Sequence, residues 1–553
     1  MTIDIDVLDG TTPITPSDWG VPHVSWRPNQ WDALSKALSY IDKEDEEIDT
    51  LIYELPTGSG KSAIPTALAK KMQVVVYVHS LALLDQYRDA YGFTIVKGMD
   101  QYECCHPDVV EAYYGKHRFK PRVSECPMEK MQECPYYVMC PYIAAREKAL
   151  ASRRMACTYP FALLSFNVQK RGGIGVWDEA HSSVEAIIQL SAMRFNKKFQ
   201  QLWSLPQFPG FGTRDELKPR MKSKVLDWFH DSIREMERNR PNDLFPEDLA
   251  PWRAAYRRLN FALGQVQEQE LYFESFEEEK WRRVKGGRRK YKDIYMLLKP
   301  FSASTLAHKL SRGKQVSLLM SATIGNPEPL TEELGIKKYQ FFEYPHPIPA
   351  DERPIYDLQF EKMIWNNIQK YPKIFKLQAM RIAKFLDEFP GDWRGLILCA
   401  SYAKAGRLKE ELEPYLGDRV YNPPEDVNRV DHFMNKKADT PGLVVVDVIQ
   451  VWGQGLDLWG DLGRFAIVAS VPFGNLTDRY EKVRKKKYGS HYAWWFSYNT
   501  VPQACGRVSR GEVKENGDYL LNVGAIADGS GTTGKAHQNY PNWFREAIVP
   551  WKA

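Results

Sequence analysis

The chain has 553 residues, 43% of them apolar and 26% charged, and a net charge of +5 at neutral pH. That balance belongs to a folded protein of several domains and excludes a disordered or collagen-like chain. The small positive excess does not make a polyanion binder by itself, so any such site has to come from local patches. No apolar run reaches the roughly 18–20 residues of a membrane span. The acidic, polar opening Met1–Pro16 is unlike a signal or transit peptide. The expectation is a cytoplasmic protein that is neither secreted nor membrane-bound.

In chain order, the first marked feature is Trp26-Arg27-Pro28-Asn29-Gln30. Gln30 suits reading an adenine edge, and Arg27 or Trp26 suits packing on a base. The apolar run Leu51–Leu55 reads as a buried strand, and Ala63–Lys71 follows as a helix. Between them stand Thr57, Gly58, Ser59, Gly60, Lys61 and Ser62. Glycines let the backbone wrap a phosphate with its N–H groups. Lys61 would reach the β- and γ-phosphates, and the Ser62 hydroxyl would ligate Mg2+. ATP with Mg2+ is therefore the expected ligand of this loop. Leu55 stands where the general phosphate-loop pattern begins with glycine.

A second strand, Val74–Val78, leads to His79, Ser80 and Gln86. Six of the eight cysteines then fall between residues 104 and 157: Cys104, Cys105, Cys126, Cys134, Cys140 and Cys157. Such clustering, without a secretion signal, reads as metal or redox chemistry before disulfides. From Cys104 through Cys126 and Cys134 to Cys140 the intervening counts are 21, 7 and 5. This is not the paired Cys-x2-Cys spacing of zinc ribbons. Four irregularly spaced thiolates also suit a [4Fe–4S] cluster, and spacing alone leaves both metals open.

The strand Ile174–Trp177 runs into Asp178-Glu179-Ala180-His181. An aspartate at such a strand end is placed for Mg2+. Glu179 suits the base that orients an attacking water, and His181 suits passing nucleotide state onward. Residues 190–300 are rich in aromatic, Arg and Glu residues and carry helical patterns such as Lys222–Arg240, so they read as a mainly helical insertion. Within it, residues 281–290 read as a basic hairpin turning at Gly286 and Gly287. The strand Ser317–Met320 leads to Ser321-Ala322-Thr323, whose hydroxyls suit His181 or Glu179.

A later group of strands, Leu396–Cys399, Leu443–Val448 and Phe465–Ser470, makes a second α/β unit. Ser401 and Tyr402 follow its first strand; Gln454, Gly455 and Asp457 follow its second. Farther on, Gln503, Arg507 and Arg510 fall on one helix face. Paired arginines suit a triphosphate bridging two domains.

The order of phosphate loop, Asp-Glu-Ala-His, Ser-Ala-Thr and Gln-x-x-x-Arg-x-x-Arg resembles superfamily 2 helicases. Lys97-Gly98 with Tyr102 and Cys104, Cys140-Pro141-Tyr142, Cys157-Thr158-Tyr159-Pro160, Lys299-Pro300 and Val471-Pro472-Phe473 look like the XPD/DinG family of iron–sulfur helicases. The resemblance implies an α/β protein of two RecA-like parallel-sheet lobes. The first lobe, residues 1–103, 158–189 and 301–345, would carry an iron–sulfur insertion at 104–157 and a mainly helical Arch insertion at 190–300. Residues 346–553 would form the second lobe.

Carried over residue by residue, the resemblance makes Cys104, Cys126, Cys134 and Cys140 the ligands of a [4Fe–4S] cluster, with Cys105 an alternative first ligand and Cys157 packed. Lys61, Asp178, Glu179, His181, Gln503, Arg507 and Arg510 become catalytic, and Ser62 and Asp178 hold Mg2+. Arg27, Gln30, Gly455 and Asp457 join the loop in binding ATP. The implied activity is DNA-stimulated ATP hydrolysis driving 5′→3′ movement on single-stranded and forked DNA, or on DNA–RNA hybrids, in a bacterial or phage-infected cell. Tyr102, Tyr113, Tyr114, Lys116, Arg118, Tyr136 and Tyr137 would line the strand's path. Gln454 departs from the family's usual Glu, and Asn522–Ser530 lacks its Asp-x-Arg. Two other readings stay open: a DEAH-type RNA helicase with a zinc module, and an ATP-dependent remodeller that binds DNA without displacing a strand. No protein partner is named by these residues.

Overall fold

The structure, a computed structural model, describes residues 15–42, 48–114, 121–126, 133–209, 218–241, 246–284, 287–423, 428–435, 441–452, 463–473, 478–506, 522–533 and 537–552. Its strands in chain order are β1 (Thr50–Glu54), β2 (Val74–Val78), β3 (Thr94–Val96), β4 (Arg154–Thr158), β5 (Ile174–Asp178), β6 (Met193–Asn196), β7 (Leu271–Val284), β8 (Gly287–Pro300), β9 (Val316–Ser321), β10 (Tyr339–Glu343), β11 (Ile355–Asp357), β12 (Gly395–Cys399), β13 (Val444–Val448), β14 (Phe465–Val468), β15 (Val523–Ile526) and β16 (Ile548–Pro550). They form two parallel sheets, ordered β10-β1-β9-β5-β2-β4-β3 and β13-β12-β14-β15-β11-β16.

Runs such as Val-Val-Val-Tyr-Val in β2 are buried along their whole length, as strands covered on both faces must be. Successive residues serve opposite faces. Ile52, Val75 and Tyr77 join one core, while Leu51, Tyr53, Val74 and Val76 join another. The second sheet alternates likewise, with Ile397, Val444 and Val446 on its outer side. Leu396, Leu398 and Val445 share the first lobe's inner core, together with Val501 and Ala504 of the helix Ser490–Gly506. One continuous apolar layer thus joins the lobes around that helix.

The insertion after β5 departs from the mainly helical expectation. The helices Pro219–Arg238 and Pro246–Glu268 are present, but they pack on a three-stranded antiparallel sheet, β6-β8-β7. Phe195 stacks on Trp228 at 5.2 Å in its core. The hairpin of β7 and β8 is much longer than the charge runs suggest. Its outer half is built from charged runs, and no apolar alternation marks it in the sequence.

The helix Arg479–Tyr488 of the second lobe grips the base of this hairpin. Tyr480 stacks on Phe301, meets Tyr272 edge-on at 5.3 Å, and donates its hydroxyl to the Pro300 carbonyl. Arg484 Nη2 meets Glu333 Oε1 at 2.6 Å with both side chains essentially unexposed. Burial pushes the Glu333 carboxyl up to about 7, and Arg484 pulls it back. Arg484→Ala leaves that group buried alone and is expected to cost about 3–5 kcal/mol of unfolding free energy in denaturant titration, whereas Arg484→Met with Glu333→Leu stays near wild type.

Parallel register also sets Glu54 at the end of β1 beside Glu343 of β10. Glu54 Oε2 accepts from the backbone N–H groups of Ile324 and Gly325, which tethers the loop after β9. Burial first, and then Glu343, push this carboxyl up to about 8, against the backbone donors. The folded protein therefore holds a proton that the unfolded chain releases near 4.5. Its contribution to stability is full below that pH and declines as pH rises to about 8. Glu54→Gln is expected to flatten the fall of the melting temperature across that window; an unaltered slope would refute the assignment.

Candidate functional site: a nucleotide cleft and a thiol-lined cavity

The loop from Pro56 to Ser62 joins β1 to the helix Ala63–Lys71. Gly58 and Gly60 have φ of 82° and 70°, a region that glycine enters freely. A Cβ at Gly60 would stand 2.5 Å from Nε2 of Gln30. Gln30, almost fully buried, donates that amide to the carbonyls of Ser59 and Gly60, both at 2.9 Å. Its Oε1 accepts from the Arg27 backbone N–H, and Arg27 Nη1 donates to the Gly58 carbonyl at 2.7 Å. Gln30 and Arg27 therefore brace the outside of the loop, turning its carbonyls away from the concave side. Both ends of the Gln30 amide are engaged by backbone groups. Trp26 packs beside Trp31 at 5.6 Å.

Asp178 ends β5 next to the loop, and Glu179 follows it at the start of the next turn. Glu179 takes a left-handed conformation, φ 49°, unusual for a non-glycine residue. Its Oε1 lies 3.6 Å from Lys61 Nζ. Asp178 Oδ2 accepts from the Tyr87 hydroxyl at 2.9 Å. Burial, and next Glu179, raise the Asp178 carboxyl above the usual carboxylate range, while Lys61 and Tyr87 lower it. Tyr87 has no sequence signal beyond its place on an amphipathic helix, and the motif reading missed it.

His181 links the lobes. Its Nδ1 lies 2.8 Å from Ser321 Oγ and 3.4 Å from Glu179 Oε2. Its Nε2 lies 2.8 Å from the Gln503 amide nitrogen, which also donates to Thr323 Oγ1 at 3.3 Å. With the amide donating, Nε2 accepts and Nδ1 carries the proton. Lys61, Glu179, His181, Ser321, Thr323 and Gln503 thus form one connected set. At the same seam, a Cβ at Gly506 would stand 3.1 Å from Thr57 Oγ1, so glycine permits the close approach. Thr57 Oγ1 itself is buried and has no hydrogen-bond partner among the described residues, as fits a group facing a ligand site.

Chain distant in sequence seals the loop after β9. Trp543 Nε1 donates to the Ala322 carbonyl at 2.8 Å, and Arg353 ties the interlobe linker to Trp543 and Glu546. Ser80 and Ser401 cap the helices Leu81–Tyr91 and Tyr402–Leu416 in the same way, one in each lobe. Gly455, Asp457, Gln454, Arg507 and Arg510 lie outside the described residues, as do Lys116 and Arg118 and the side chains of Tyr113 and Tyr114.

Cys104, Cys105, Cys126, Cys134 and Cys140 line one small cavity, together with His106, Val123, Tyr137 and Ile143. Burial raises the Cys104 thiol to about 11, although the His106 backbone N–H favours its thiolate. The neighbouring thiols of Cys126, Cys105 and Cys140 raise it further. Cys157 is fully buried in β4, outside the cavity. Among the described residues no three His, Cys, Asp or Glu side chains converge on a single-ion site. A [4Fe–4S] cluster asks for something else, four thiolates on four irons around one volume. Five thiols around one cavity fit it in kind and number. Tyr102 instead packs on Tyr142, and Tyr137 donates to Glu147, so both serve internal contacts here. Arg253 of the insertion reaches the Cys126 carbonyl at 3.3 Å.

No protein-family model matches the chain. No curated protein matches it either. Among solved structures, an XPD helicase aligns with a TM-score of 0.56 at 13% identity, over 96% of this chain and 100% of that one. An apo XPD structure aligns with a TM-score of 0.52 at 13% identity, over 94% of this chain and 100% of its own. The chain thus has the fold of the XPD helicase structures, with two parallel-sheet lobes.

Proposed function

We propose that the chain is an ATP-dependent helicase of the XPD/DinG kind, moving 5′→3′ on single-stranded DNA and unwinding forked DNA or DNA–RNA hybrids. The observation that carries this reading is the polar line from Lys61 through Glu179 and His181 to Gln503, which crosses from one lobe to the other. A nucleotide-driven motor needs such a line, because hydrolysis in one lobe has to be felt by its partner.

In this reading the loop N–H groups and Lys61 bind the phosphates. Ser62 and Asp178 would hold Mg2+, whose charge offsets that of the phosphates. Phosphate entry draws Lys61 away from Glu179, and the released carboxylate takes the proton of the attacking water. His181, relieved of Glu179, changes its hold on Ser321 and Gln503. Gly455, Asp457, Arg507 and Arg510 meet the nucleotide from the second lobe, the arginines stabilising the charge that builds up on the transferring phosphate. Arg27 and Gln30 read adenine when the amide exchanges one loop carbonyl for the base.

The lobes are residues 1–103, 158–189 and 301–345, and residues 346–553. Their capped helix starts at Ser80 and Ser401 supply matched backbone grips for a phosphate chain. Closure changes the spacing of those grips, which moves the strand by a step. Cys104, Cys126, Cys134 and Cys140 of residues 104–157 would hold a [4Fe–4S] cluster, which cross-links a segment poor in regular structure. Residues 190–300 correspond to the Arch.

Anaerobically purified protein is tested for ATP-driven displacement on DNA and RNA duplexes with a 5′ or a 3′ tail. Displacement only from 5′-tailed DNA supports the proposal. A 3′ preference rejects the polarity, an RNA track rejects the substrate, and intact ATPase without displacement favours a remodeller. Lys61→Ala is expected to lower DNA-stimulated ATPase at least a hundredfold; a tenfold or smaller loss would remove the phosphate-loop role. Cys134→Ser is expected to lose iron, acid-labile sulfide and unwinding while keeping some ATPase, and a wild-type iron content would discard the ligand set.

A further inference from the structure

The strands β7 and β8 pair from Leu271 opposite Pro300 to Val284 opposite Gly287. The inner part is supported among the described residues: Leu271, Phe273, Met296 and Leu298 enter the insertion's core, and β6 pairs with β8 along Tyr295–Leu298. From Glu277 outward the two strands have only each other as sheet partners, over ~25 Å at about 3.3 Å per residue. An isolated two-stranded ribbon is marginal in water and depends on its cross-strand pairs.

The stem uses opposite charges. Lys292 meets Glu277 at 2.9 Å, Lys290 meets Glu279 at 3.2 Å, and Arg194 of β6 meets Glu278 at 2.6 Å. At the tip the register does the reverse, setting Arg282 opposite Arg289 and Arg283 opposite Arg288. No carboxylate occurs from Lys280 to Lys290. Like charges directly opposite destabilise a ladder, and anions lying alongside remove that repulsion. Successive strand positions belong to opposite faces, so one arginine pair belongs to each face.

We infer that the ribbon tip is a nucleic-acid contact separate from the ATP lobes, gripping a duplex by the phosphates of both its strands. A two-stranded ribbon fits the major groove, where phosphates run along either side. Arginine on both faces answers those two rows, and guanidinium is the cation suited to phosphate. A single strand would engage one row only. The inference rests on the nucleic-acid motor reading for the choice of anion; the charge pattern stands without it.

The test is binding of a blunt, untailed DNA duplex to the full chain, without nucleotide, across a salt series. Changing all four residues, R282Q/R283Q/R288Q/R289Q, is expected to weaken binding and make the log–log salt dependence shallower by about 3–4, near 0.9 for each lost phosphate contact. ATPase stimulated by a short single-stranded oligonucleotide should stay at the wild-type value, and the melting temperature should not fall. The pair change R283Q/R288Q should give about half the slope change, and it decides the matter should the fourfold variant not fold. An unchanged slope, absence of duplex binding in the wild type, or equal displacement of the duplex by poly-glutamate would overturn the inference. Loss of all ATPase in the wild type would sink the motor reading but leave this measurement intact. Lys61→Ala should bind the blunt duplex as wild type does.

Discussion

The contact between the Gln503 amide and the His181 ring is the point on which the two halves of the molecule depend. It is buried, so neither partner can turn to water when the other leaves. An unmatched polar group there would cost about 1–3 kcal/mol. His181 has two ring nitrogens, and each answers to a different lobe. The near side faces Glu179 and Ser321, both close to the phosphate loop, and the far side faces Gln503. Around this pair the shared apolar layer and the Gly506–Thr57 approach hold the lobes in contact.

Much of this cleft's local geometry is readable in the amino-acid order, because a glycine turn and an acidic strand end leave local patterns. Lys61 follows the glycine-rich turn, and Asp178 ends a strand. The strands before them are apolar throughout, and β2 and the helix Ala63–Lys71 have the bounds their pattern predicts. Tyr87 and Glu54 were not readable. Tyr87 donates to Asp178 from a helix ordinary in composition, and Glu54 works because β10 happens to lie beside β1. Such partners come from sheet order, which a local pattern does not contain.

The insertions divide in the same way. The thiols were visible as a cluster, and the structure adds that five of them face one cavity. The hairpin itself was visible too, yet its length was not; the turn residues Lys285 and Gly286 lie outside the described residues. Beyond Phe276 and Tyr295 the amino-acid order turns to charged runs and loses apolar alternation. What replaces the alternation is a charge code written across the strands. It becomes readable only when the register is known.

The seal that Trp543 places on Ala322 has a consequence for how the chain is made. The two residues lie 221 positions apart. Nearly the whole second lobe must therefore leave the ribosome before the loop carrying Ser321 and Thr323 can be closed. At about 5–20 residues per second, the first lobe waits on the order of 10–45 s with that edge open. Part of its sheet, β5-β2-β4-β3, can form early, because those strands are synthesised within the first third of the chain, whereas β1 waits for β9 and β10. Closure of that loop, by contrast, needs Trp543.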